Sequence, residues 1–114
     1  NAEFVEGDIL DVDRLEKIMS GGFAAVIHLA AKKAVGESME NPQLYARNNI
    51  NGSINIFNAM VNNEVKNLVF SSTSAVYGLP QYLPRDEQHP HNPLSFYGFT
   101  KIEIERVMDW FSRL

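Results

Sequence analysis

Apolar and polar positions along this chain fall into blocks that alternate between strand-like and helix-like spacing. Phe4-Val5, running into Gly7-Asp8-Ile9, predicts a first strand. Val12, Leu15, Ile18 and Met19 then recur on one helical face. Asp11 or Asp13 can cap that helix and Gly21-Gly22 can end it. Residues 24–30 are nearly all apolar, as in a strand covered on both faces of a parallel sheet. Residues 32–38 predict a loop, and a long helix follows over residues 42–62. Pro42 suits its first turn, and Ile50, Ile54, Phe57 and Val61 are its expected buried stripe. A third strand is expected over residues 67–72. Residues 75–95 are irregular and hold all but one of the five prolines. A loop of that length in a compact protein is usually functional. The last expected helix spans residues 96–111, with Ile104, Val107, Met108 and Phe111 facing inward.

Strands alternating with helices imply crossover connections and a parallel sheet with flanking helices, the α/β class. In such sheets ligands bind beyond the carboxyl ends of the strands. The polar residues gather there: Asp8 after the first strand, Lys33 after the second, and Ser71 to Ser74 after the third.

Composition narrows the classes. The length of 114 residues is that of one domain, and 45% apolar residues suffice for a core. A net charge of −4 argues against nucleic-acid backbone binding, which uses a basic face. No apolar run is long enough for a membrane span, and no signal-peptide pattern is present. Without cysteine there is no disulfide framework or thiolate metal site, and a cytoplasmic location is expected. The first residue is not Met and the chain stops at a helical pattern, so an internal piece of a longer protein is expected.

The strongest chemical pattern is Tyr97-Gly98-Phe99-Thr100-Lys101. Helix positions four apart share a face, so phenol and ammonium lie side by side. An ammonium so placed favours the ionised form of a phenol, which makes Tyr97 a candidate general base. The bland alternative is a solvated helix face. Ser71-Ser72-Thr73-Ser74 places four hydroxyls at a strand end, where they can bind a substrate or close a turn on local backbone. Five asparagines, Asn48, Asn49, Asn51, Asn55 and Asn58, crowd a helix that they do not favour. They either face a ligand or lie in solvent. His28, in an apolar strand, reads as a satisfied core histidine. His89, His91 and the pair Asp86-Glu87 lack metal-ligand spacing, and no metal is expected.

Taken together, these segments resemble the extended short-chain dehydrogenase/reductase family, and within it the UDP-glucose 4-epimerase branch. The matching stretches are residues 4–9, 28–31, 33–38, 48–52, 69–78 and 97–101, in family order over essentially the whole chain. Lys33-Ala34-Val35-Gly36-Glu37-Ser38 points to the epimerase branch. A nucleotide-sugar dehydratase would be expected to carry acidic residues near Thr73, where Ser74 and Ala75 stand.

The resemblance implies a partial Rossmann-like NAD-binding domain over residues 1–114, without the first two strands and the C-terminal substrate domain. It implies NAD as cofactor and a UDP-sugar as substrate, interconverted between UDP-glucose and UDP-galactose through a 4-keto intermediate. Tyr97 would take the proton of the sugar 4-hydroxyl. Lys101 would hold the nicotinamide ribose and ease the ionisation of Tyr97, and Thr73 would bond the same sugar oxygen. Asp8 and Ile9 would lie along the adenine, while Ala30, Lys33, Asn48 and Ser71 would line the cofactor. The seven glycines form no G-x-G-x-x-G, so the turn that holds the pyrophosphate in this family is not in this stretch. The isolated chain is therefore expected to be inactive, and its unpaired apolar sheet edge is expected to drive self-association.

Overall fold

The computed structural model describes residues 2–114. Its centre is a two-stranded parallel sheet, β1 (Ala25–His28) beside β2 (Asn67–Phe70), paired from Ala25 with Asn67 to His28 with Phe70. Parallel strands need a crossover. Here it is helical: α2 (Val35–Glu40), α3 (Pro42–Tyr45), a π-helical stretch (Ala46–Asn51) and α4 (Gly52–Asn62). Helix α1 (Val12–Met19) precedes β1, and α5 (Phe96–Phe111) closes the fold. The α/β class and the parallel sheet stand as expected.

Four details of the expected elements are corrected. Residues 2–7 form no strand. A strand exists only by pairing, and the sheet among the described residues pairs only β1 with β2. The expected loop after β1 contains the short helix α2. The long helix is interrupted by the wider π turns at Ala46–Asn51. Its buried stripe is also shifted by one position, to Ser53, Ile56, Phe57 and Met60, while Val61 is exposed. Apolar residues stand on both phases of this helix, so spacing alone could not choose between them.

The core lies on one side of the sheet. Val26, Leu68 and Phe70 point into a cluster built from Ile56, Phe57, Ala59 and Met60 of α4, Ile104 of α5 and Met19 of α1. Val107, Met108 and Phe111 pack on its border, largely as expected. The other side is bare: Ile27 is 68% exposed and its register partner Val69 60%. Burial of apolar surface is the main drive to fold, so this sheet is half covered.

Helix α1 starts on an aspartate cap, Asp11 Oδ1 accepting the Arg14 amide at 3.0 Å. Gly22, at φ 78°, then lets the chain turn out of that helix. Glu16 of α1 accepts from the amides of both Asn62 (2.7 Å) and Asn63 (2.9 Å), which straps α1 to the end of α4. Ile9 lies directly on Gly52, where any Cβ would overlap its Cδ1. Asn55 adds a hydrogen bond to the Ile9 carbonyl at 3.1 Å.

Candidate active site

The start of α5 is held by three different side chains. Ser95 caps it, its Oγ accepting the Gly98 amide at 3.1 Å. Ser38 Oγ accepts the Tyr97 amide at 3.0 Å, and Met39 Sδ lies 3.3 Å from the Phe96 amide. The amides at a helix start have no partner within the helix, so these contacts decide where the first turn sits. Gly98 completes the seat. A Cβ there would meet the Ala75 carbonyl oxygen at 2.7 Å and Pro93 Cβ at 3.1 Å. The turn carrying Tyr97 therefore rests on the short 3-10 turn Ser74–Val76, which Thr73 opens.

One turn further, Lys101 is 3% exposed. Its Nζ donates to the Ser71 carbonyl at 2.7 Å and lies 4.5 Å from the centre of the Phe70 ring. Burial lowers its pKa from the usual lysine value, against a smaller opposing effect of Glu105. The expected neighbours thus meet: the Tyr97/Lys101 helix and the hydroxyl-rich end of β2.

The hydroxyls of that strand end differ in what they do. Thr73 Oγ1 accepts the Ala75 amide at 3.2 Å, a local cap that leaves its own proton free to be donated. Ser72 donates to the Glu105 carboxylate, and Ser71 contributes its main-chain carbonyl. The turn on local backbone is therefore real at Thr73, and of the four hydroxyls the one at Ser72 is committed to an acceptor.

Beyond β1, Ala30 and Lys33 are exposed. Between them the chain is clamped. Asn49, fully buried, accepts the Lys32 amide at 2.8 Å and donates to the Lys32 carbonyl at 2.9 Å. The same amide group lies 3.3 Å from Thr100 Oγ1, which donates to the Tyr97 carbonyl at 2.7 Å. Asn48 is half-buried and donates to Asn49 Oδ1 at 3.0 Å. Asp8 Oδ1 accepts the Leu10 amide at 2.8 Å and leads into Ile9. Ile9, Asn48 and the Lys32-Lys33 loop are therefore gathered around the π-helical stretch.

Neither expectation for the asparagines describes them fully. Asn49 and Asn55 tie separate segments to the helix, while Asn51 and Asn58 are exposed. Asn49, Ser38 and Thr100 were not distinguished by sequence reasoning. Their partners are main-chain groups 17 to 59 residues away or amides on other elements, which leave no local pattern.

His28 is a core histidine, as expected. Ser53 Oγ gives its proton to the Asn49 carbonyl at 2.6 Å, so it receives one from His28 Nε2 at 2.8 Å. Burial, and secondarily the Lys101 ammonium, bring the His28 pKa down to about 4. An apolar concavity at the opposite end of the sheet, lined by Met60, Val65, Leu68 and Met108 among others, contains none of the candidate residues. No helix among the described residues is long and apolar enough to cross a membrane.

A family model described as GDP-mannose 4,6 dehydratase matches residues 1–113, and the chain belongs to that family. It is similar to human UDP-glucose 4-epimerase, 48% identical over 113 residues, covering 95% of this chain and 32% of that protein. It is 44% identical over 108 residues to the pea bifunctional UDP-glucose 4-epimerase and UDP-xylose 4-epimerase 1, covering 94% of this chain and 31% of the relative. Among solved structures, the UDP-glucose 4-epimerase of Brucella ovis in complex with NAD superposes with a TM-score of 0.95 at 42% identity, covering 98% of this chain and 35% of that one. The chain thus spans about a third of the length of the relatives it matches.

Proposed function

We propose that this chain carries the proton-transfer centre of an NAD-dependent UDP-glucose 4-epimerase. The observation that carries the reading is the buried Lys101 ammonium, one turn after Tyr97 and anchored to the Ser71 carbonyl at 2.7 Å. That anchor brings the Tyr/Lys pair to the strand end that carries Thr73.

In this reading the Tyr97 phenol takes the proton of the sugar 4-hydroxyl as C4 becomes a ketone, and returns it when C4 is reduced from the opposite face. Thr73 donates to the same sugar oxygen and keeps it within reach of the phenol. The Lys101 ammonium stabilises the negative charge that develops nearby. The donor set fits a nicotinamide dinucleotide. Lys101 has three N–H donors and gives one to Ser71, which leaves others for a ribose hydroxyl. Asp8, Ile9, Ala30, Lys33, Asn48 and Ser71 would line the cofactor. When bound, the cofactor supplies acceptance and return of the hydride.

A dehydratase of the same family is the second reading, since the family model bears that description. Ser74 and Ala75 after Thr73 offer no carboxylate for acid–base elimination, which favours the epimerase. The substrate is then a UDP-sugar and the location cytoplasmic. Where the chain stands alone, we propose self-association through the unpaired edge of β1.

The test is Tyr97→Phe in the full-length protein. Interconversion of UDP-glucose and UDP-galactose should fall by about 10²–10⁴-fold, the usual weight of a positioned acid–base group, with bound NAD retained. An unchanged rate removes Tyr97 from the chemistry.

A further inference from the structure

The segment that set the sequence apart within its family, residues 33–38, contains none of the groups given a chemical role except Lys33. Its last residue is nonetheless fully buried. Ser38 Oγ donates to the Val35 carbonyl at 2.6 Å and accepts the Tyr97 amide at 3.0 Å. The first bond fixes the rotamer of Ser38 within α2, and the second carries that fixed position across 59 residues to the base of the candidate acid–base group.

The residues beside Ser38 act in the same direction. Met39 Sδ meets the Phe96 amide. Glu37 accepts the hydroxyl proton of Tyr45 at 2.7 Å, and Tyr45 is fully buried. Burial raises the Tyr45 pKa, and the Glu37 carboxylate adds to this. Three consecutive residues of α2 therefore grip α3 on one side and the first turn of α5 on the other. Gly98 lets that turn sit against Ala75 with no room to slide.

We infer that Ser38 is a positioning residue for Tyr97: its hydroxyl oxygen holds the Tyr97 amide and so sets where the phenol stands relative to Thr73 and the sugar hydroxyl. This rests on the acid–base assignment of Tyr97. A serine supplies both halves of the relay, an acceptor for the amide and a donor that orients it. Alanine supplies neither.

The experiment compares Ser38→Ala with wild type in the full-length protein by steady-state epimerisation and by hydrogen exchange at the Tyr97 amide. The expected result is a loss in kcat of about 10²-fold, the effect of a displacement on the order of 1 Å at a reacting group. KM for UDP-glucose should stay within about twofold, because Ser38 touches no sugar contact. Exchange at the Tyr97 amide should quicken while that at the Ile104 amide, deeper in α5, stays unchanged. An unchanged kcat, or a lower kcat without faster exchange at Tyr97, overturns the inference. If wild type does not epimerise UDP-glucose, the proposed activity fails, and the exchange comparison alone decides whether Ser38 holds Tyr97. Should Ser38→Ala not fold, Ser38→Cys keeps the volume and weakens the acceptor, and the same two readings apply to it.

Discussion

The ammonium of Lys101 donates to the main-chain carbonyl of Ser71 at 2.7 Å, which ties the second turn of α5 to the end of β2. This one bond gives the lysine a fixed origin in a site that buries it. Because the partner is a main-chain group, the acceptor does not depend on which side chain residue 71 carries, so long as the backbone there keeps its bond to the His28 carbonyl.

Replacing Lys101 with Met should keep the stem packed on Phe70 and remove the charge. If the full-length protein is the epimerase proposed, its activity should fall by about 10²-fold or more, the scale of losing one preorganised electrostatic group. Lys101→Arg should not restore it, because a planar guanidinium does not fit a point-charge site. Full activity in either variant counts against the role given to the ammonium.

His28 predicts a pH dependence of stability. Its folded pKa of about 4 lies below the ordinary histidine value of 6.5, so the unfolded chain binds more protons in the interval between them. Stability attributable to His28 is full above about pH 6.5 and is lost as pH falls toward 4, with a slope of up to about 1.4 kcal/mol per pH unit. Urea unfolding of wild type and His28→Gln across that interval measures it. Parallel curves for the two proteins would show that His28 contributes nothing to the slope.

Three glycines should rank by what a methyl group would strike. Gly78 has φ 66°, and an added Cβ would overlap the Asn92 carbonyl oxygen. Gly98 faces the Ala75 carbonyl at 2.7 Å, whereas Gly52 faces only the Ile9 side chain. Backbone cannot yield as a side-chain end can. Alanine should therefore destabilise most at Gly78, next at Gly98 and least at Gly52, with overpacking alone costing about 1–3 kcal/mol. Thermal midpoints in the reverse order would refute this packing.

Asn49→Ala should leave the Lys32 amide and carbonyl without their partner. Lys32 is half-buried, so water replaces part of what is lost, and stability should fall by no more than about 1–3 kcal/mol, the cost of a buried group left unsatisfied. Proteolysis between Ala31 and Gly36 should quicken. A variant that resists protease as wild type does would mean that the loop is held by something else.

The bare side of the sheet predicts association of the isolated chain. Ile27 and Val69, paired in register, expose apolar surface beside an unpaired strand edge. Light scattering should give a mass that rises with concentration, and Ile27→Lys with Val69→Lys should lower it. A monomer at all concentrations would disprove the association.

Much of this was legible in the sequence because it is local. The helix over 96–111, the two strands and the Tyr97/Lys101 face follow from spacing and apolar runs. The segment at Phe4-Val5 has a strand-like sequence but no neighbour to pair with, and pairing is a tertiary property. The phase of α4 was ambiguous because Ile54 and Val61 compete with Ile56 and Met60. The holding residues Ser38, Asn49 and Thr100 could not be read, since each acts through a partner on another element.

The π-helical stretch Ala46–Asn51 has a bearing on how this region can change. A regular helix advances about 100° per residue. Excising one residue other than Asn49 from these wide turns would return them to a regular helix and leave the segments on either side close to their present phase. Excising one from α4 would instead rotate everything before the cut by that angle, and the Asn49 amide would swing away from Lys32. Single-codon deletions should therefore be far less tolerated within α4 than at these turns, although neither region carries the reacting groups.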